Sequence, residues 1–108
     1  MIEETVKHLY SLLLSKKYED IEAFTQGVRM SSAEINECIS EYGCKLVPYP
    51  EEIALDIVLV EGSDPKEWSV IAPIYTEEEG LSDLSLELSL IDNNTTFYKT
   101  GLENIRVR

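Results

Sequence analysis

Trp68-Ser69-Val70-Ile71-Ala72-Pro73-Ile74-Tyr75-Thr76-Glu77-Glu78-Glu79-Gly80-Leu81-Ser82-Asp83-Leu84-Ser85-Leu86-Glu87-Leu88-Ser89-Leu90-Ile91 decides the fold of this chain. Trp68, Val70, Ala72 and Ile74 alternate with Ser69, Ile71, Pro73 and Tyr75, and Leu84, Leu86, Leu88 and Leu90 alternate with Ser85, Glu87 and Ser89. A period of two puts alternate side chains on opposite faces of a strand, so the four leucines predict a strand lying on a core. Between the two runs, Thr76-Glu77-Glu78-Glu79-Gly80 reads as the turn of an antiparallel hairpin whose tip carries clustered carboxylates.

Upstream, the period changes to that of a helix. Ile2, Val6, Leu9 and Leu13 recur at spacings of four, three and four, which predicts a helix over 2–15 with one buried face. His8 falls on the polar face with Glu4 and Ser11, where a surface pair with Glu4 is expected. A shorter helix is expected from Tyr18 to about Thr25, ending near Gln26-Gly27. Ser31-x-x-Glu34 has the form of a capping box, and Ile35, Cys38, Ile39 and Tyr42 continue a helical stripe until Gly43 stops it. Only Val28 to Met30 is left for an extended segment between the second and third helices.

Downstream of Pro48-Tyr49-Pro50, a stiff extended connection, every pattern is that of a strand. Ala54 to Glu61 sets Leu55, Ile57 and Leu59 against Asp56, Val58 and Val60, and Gly62-Ser63-Asp64-Pro65 turns the chain back. After the hairpin, Asp92-Asn93-Asn94-Thr95 marks a turn, and Phe97 to Val107 forms a last strand in which Gly101 predicts a bulge or bend. The fold class expected is α+β: three N-terminal helices packed on one face of a curved antiparallel sheet of four to five strands. Helices occupy about 2–43 and a β meander about 44–108, within one domain, 1–108, of a size that supports a single modest core.

Composition narrows function by exclusion. Twenty-one acidic against nine basic residues leave a net charge of -12, and the window from Glu51 to Asp92 holds all but one unit of that excess, with Lys66 its sole base. Such a field opposes nucleic acid and anionic membranes and favours basic proteins or cations. No apolar run approaches the roughly 18 residues of a membrane-spanning helix. The acidic start Met1-Ile2-Glu3-Glu4 lacks the basic region of a secretory signal, so a cytoplasmic location is expected and the sequons at Asn93 and Asn94 read as turn residues only. Cys38 and Cys44, six apart and distant from the single histidine, have neither zinc nor redox spacing. Cys38 is expected to pack as a small hydrophobe and Cys44 to open the first strand, without a disulfide between them. No metal and no cofactor is expected: the glycines form no phosphate-binding motif, and Glu77, Glu78, Glu79 and Asp83 lack the spacing of a calcium loop.

Trp68-Ser69-Val70, Tyr75-Thr76-Glu77-Glu78-Glu79-Gly80 and the run from Ser82 to Leu90, with Tyr42-Gly43 and Pro48 to Glu52 upstream, are similar to the signature of a small uncharacterised bacterial domain family. The order of helices followed by a long meander resembles the nuclear-transport-factor-like and cystatin-like cones. That resemblance implies a fold without an activity, because such cones include enzymes, ligand binders and adaptors.

Two functions follow as expectations. The first is a non-catalytic, acidic protein-binding module, resembling bacterial immunity or antitoxin proteins that inhibit a basic protein. Glu77, Glu78, Glu79 and Asp83 would steer and pair with its Lys and Arg, Trp68 and Tyr75 would anchor it, and Glu51, Glu52 and Glu61 would form a second patch. Reversing the charge of the three glutamates is expected to weaken capture and leave stability alone. The second is a small-molecule-binding or enzymatic cone, in which Asp56 near Tyr42, Tyr75 or Tyr98 would be the acid or base and a deep cavity would separate sheet from helices. Self-association through Val58, Val60, Ile71 and Tyr75 on the outer sheet face, as a homodimer, is a further expectation.

Overall fold

The computed structural model describes residues 2–25, 30–43, 45–62, 64–92 and 98–107. Three helices come first: α1 (Ile2–Leu14), α2 (Tyr18–Phe24) and α3 (Ser32–Tyr42). The capping box is formed, with Ser31 Oγ accepting from the Glu34 amide at 3.2 Å and the Ser31 amide donating to Glu34 Oε1 at 3.1 Å. Gly43 ends α3 at φ 78°, a left-handed conformation that costs glycine nothing. The Gln26-Gly27 exit, Val28 of the short extended segment, Cys44, Ser63, the turn at Asn93–Thr95 with its sequons, and Phe97 lie outside the described residues.

Four strands follow, β1 (Asp56–Leu59), β2 (Glu67–Thr76), β3 (Gly80–Ile91) and β4 (Lys99–Val107), in an open antiparallel sheet of order β1-β2-β3-β4. The protein is therefore α+β, with sequential strands paired as neighbours. Leu46 adds one isolated bridge to Thr76, all that exists of a fifth strand among the described residues.

Register fixes the faces. Val70 pairs with Leu88 and Ala72 with Leu86, and Val70, Ala72, Ile74, Leu84, Leu86, Leu88 and Leu90 are all buried. They belong to one hydrophobic cluster with Val6, Leu9 and Leu13 of α1, Ile21 of α2, and Ile35 and Ile39 of α3. Burying a leucine fully is worth roughly 1.5–3 kcal/mol, so the leucine face of β3 alone anchors a large share of a small domain's stability.

Three local expectations change. β3 begins at Gly80 rather than Leu84, because two irregular residues are absorbed between Pro73↔Ser85 and Tyr75↔Leu81. Ser82 makes this possible: its buried hydroxyl donates to the Ile74 carbonyl at 2.7 Å and accepts from the Leu84 amide at 3.1 Å, replacing ladder bonds that the irregularity removes. In β4 the register shifts between Leu102 and Asn104, two residues beyond the expected site at Gly101. Gly101 faces Ser89, whose Oγ would lie 2.7 Å from an added Cβ, so its small size serves close cross-strand approach. Finally, β1 is shorter than expected and exposed along its length, with no side turned fully into the core.

His8 packs edge-on against Phe24 of α2, their ring centroids 4.9 Å apart, a packing role that its place on a polar stripe did not predict. Cys38 is a free thiol, partly buried against the core. No helix among the described residues is long and apolar enough to cross a membrane.

Candidate functional site

The edge of β2 nearest the hairpin tip is closed by a strap, residues 45–49. The Val47 amide donates to the Tyr75 carbonyl at 3.0 Å and the Glu77 amide to the Lys45 carbonyl at 2.8 Å. Tyr10 reaches across from α1: its hydroxyl donates to the Val47 carbonyl at 2.6 Å and accepts from the Tyr75 amide at 3.1 Å. Tyr49 stacks on Tyr10 with centroids 3.7 Å apart and donates to the Pro73 carbonyl at 2.7 Å. Burial pushes the Tyr49 phenol strongly above its ordinary range, and the Tyr10 phenol is raised for the same reason.

The acidic turn is tied to this strap and to the end of α3. Glu78 accepts from the Lys45 amide at 3.1 Å, and Glu79 accepts from the Tyr42 hydroxyl at 2.7 Å. Glu77 approaches Lys45 Nζ at 4.0 Å, a loose exposed pair. The Glu79 amide donates to Thr76 Oγ1 at 3.1 Å within the turn itself. Glu79 also raises the Tyr42 phenol above its ordinary value, because a neighbouring carboxylate that accepts the phenolic hydrogen favours the neutral ring. The three glutamates remain exposed, yet two of them hold groups 33 and 37 residues away in sequence. Glu78 and Glu79 therefore hold backbone and side-chain groups of distant segments, contacts that the expectation of a purely solvated acidic tip does not include.

Beside this clasp lies a shallow groove of about 270 Å³ whose lining includes Ile71, Pro73, Tyr75 and Leu81, with Asp56 and Asp83 among its polar residues. Asp56 and Asp83 are exposed, Leu81 is 63% exposed, and among the described residues no Lys or Arg lines the groove. Ile71 and Asp56 are cross-strand partners and share the sheet face opposite the buried Val70, Ala72 and Ile74. The groove thus sits on the outer face, and the structure gathers Tyr75 and Asp83 there, next to Glu77–Glu79.

Trp68 does not join them. It is seven positions before Tyr75 on β2, roughly 23 Å at ~3.3 Å per residue, and on the other face, stacked on Tyr98 with centroids 5.0 Å apart. The expected juxtaposition of Trp68 with Tyr75 and the acidic tip is not formed, because an odd separation along a strand reverses the face. Glu51, Glu52 and Glu61 are exposed at the two ends of the segment containing β1. Asp56, the candidate acid or base, lies on the open outer face.

Leu81, Pro73 and Lys45 join the site only in the folded protein. Leu81 had a readable signal: it is odd-numbered beside the even leucines of β3, so its side chain belongs to the opposite face. The role of Lys45 rests on its backbone, which no pattern of side chains reveals. Among the described residues, no group of three or more His, Cys, Asp or Glu is placed to hold a metal ion.

No curated protein and no solved structure matches this chain. Residues 10–108 match a family described as "Domain of unknown function (DUF7668)".

Proposed function

We propose, from the premise that this chain belongs to the family of that domain of unknown function, that it is a non-catalytic protein-binding module whose outer sheet face meets a basic partner. The observation that carries this reading is the groove beside the hairpin: an apolar floor of Ile71, Pro73 and Leu81 flanked by exposed Asp56 and Asp83, with no base among the described residues that line it. An apolar floor supplies contact area, and exposed carboxylates supply attraction and register toward Lys or Arg. In this reading the glutamates of the turn contribute long-range field, while Tyr75 and Asp83 make contact. The three helices act as a layer behind the leucine face of a curved sheet and leave the outer face free for the partner.

An acidic module of this kind suits an inhibitor of a basic protein in the cytoplasm, in the manner of bacterial immunity proteins. The test is affinity capture from the source organism at low and at high salt, comparing the natural chain with the Asp56→Lys/Asp83→Lys double variant. A basic protein retained by the natural chain, released by salt and lost by the variant is the expected result. Equal retention by both would remove the groove from the interface.

A further inference from the structure

The edge of β2 that faces β1 is closed group by group. β1 pairs with it up to Ile71; beyond that, Pro73 has no amide to satisfy and its carbonyl accepts from Tyr49, both backbone groups of Tyr75 are bonded, and the Glu77 amide reaches Lys45. β1 itself is the first strand of the sheet and has no neighbour on its far side among the described residues.

Which of its groups face outward follows from the ladder. The Val60 amide donates to the Glu67 carbonyl at 2.9 Å, and Leu59↔Trp68, Val58↔Ser69 and Ile57↔Val70 are the next pairs. In an antiparallel pair, bonded and non-bonded positions alternate, so Val58 faces β2 while the N–H and C=O groups of Ile57 and Leu59 turn to the open edge. The side chains are uncovered as well: Ile57, Val58, Leu59 and Val60 are 46, 63, 49 and 39% exposed. Residues 56–60 contain no Lys or Pro, two residues that blunt an edge, and their one charge is Asp56 at the start of the strand.

We infer that the open edge of β1 accepts an extended, basic segment of a partner protein as an added strand, bonded through the backbone of Ile57 and Leu59. This rests on the reading of the protein as a binder of basic partners. Charge selects the occupant. Glu51, Glu52, Asp56, Glu61 and Asp64 are exposed around β1, and Lys66 is the one base between Glu51 and Asp92. A second copy would bring the same carboxylates to the same edge, whereas a segment alternating apolar residues with Lys or Arg covers the exposed aliphatics and neutralises the flanks. The same acids that admit a basic strand deter pairing of the chain with itself.

The experiment uses a short capped peptide alternating Lys with Val, its Glu-with-Val counterpart, and ¹⁵N-labelled full-length protein. The basic peptide should slow exchange of the Ile57 and Leu59 amides by about tenfold, the contribution of one net hydrogen bond, while the acidic peptide leaves them unchanged. Leu59→Pro removes an outward amide without touching the ladder to β2 and should abolish the protection. Asp56→Lys/Glu61→Lys, which leaves the backbone intact, should exchange preference from the basic to the acidic peptide, and decides the matter should Leu59→Pro fail to fold. Shifts confined to residues 77–83 would overturn the edge and leave the acidic-binder reading standing; binding of neither peptide would overturn both. Equal binding of the acidic peptide, or concentration-dependent protection without any peptide, would replace the basic occupant with another strand or a second copy.

Discussion

Tyr42, the last residue of α3, and Glu79, at the tip of the β2–β3 hairpin, are joined by a 2.7 Å hydrogen bond across 37 residues of chain. The bond couples the end of the helical part to the sheet at the point where negative charge is densest. It also makes an acidic turn, ordinarily a solvated loop, part of the tertiary structure.

The phenol of Tyr42 should therefore ionise later than a free tyrosine. Its value is raised chiefly by Glu79, and Tyr10 and Tyr49 are raised by burial. Each such group holds its proton more tightly folded than unfolded, so its contribution to stability is complete below about pH 10 and is lost as pH rises through the raised folded values. Tyrosine ¹³Cζ titration by NMR should show Tyr42 returning toward its ordinary value in Glu79→Gln, with Tyr49 unchanged.

Ser82→Ala should destabilise by about 1–3 kcal/mol, because it strands the buried Ile74 carbonyl and Leu84 amide that the hydroxyl serves. Urea denaturation measures the loss. A change under a few tenths of a kcal/mol would mean that the irregularity in β3 finds other partners.

Tyr10→Phe keeps the ring stacked on Tyr49 but removes the donor to Val47 and the acceptor for Tyr75. A cost of about 1–3 kcal/mol is expected, with faster amide exchange concentrated at Val47, Tyr75 and Glu77. Uniformly faster exchange would show that the strap opens only with the whole fold.

Gly43→Ala should cost about 1 kcal/mol through the left-handed backbone alone, since no atom lies closer than 4.0 Å to the added Cβ. Thermal unfolding compared with Ser31→Ala, which removes the opposite cap of α3 at about 1 kcal/mol, would place both ends of the helix on one scale.

Legibility followed periodicity. The leucines of β3, the stripe of α1 and both caps of α3 are local patterns, and each is present as read. Pro73 inside a central strand breaks a rule of thumb, and the structure shows why it is tolerated: β1 ends at Asp56↔Ile71, so the missing amide faces a side where no ladder continues. The candidate site was half legible. Tyr75 and Asp83 come together, but Trp68 is separated from them by length and by parity, and the ties of Glu78 and Glu79 to Lys45 and Tyr42 depend on contacts that no local pattern encodes.

The strap of residues 45–49 has a consequence for synthesis. It is sealed by Tyr10, already made, and by Pro73, Tyr75 and Glu77, which follow it by some thirty residues. While the ribosome adds those residues, the strap and the aliphatic run Ile57–Val60 wait without the strand that pairs with them. The carboxylates at Glu51, Glu52, Asp56 and Glu61 stand on either side of that run and act as gatekeepers for the unfinished chain. Neutralising all four should then lower soluble yield on expression more than it lowers the melting temperature of the protein that does fold.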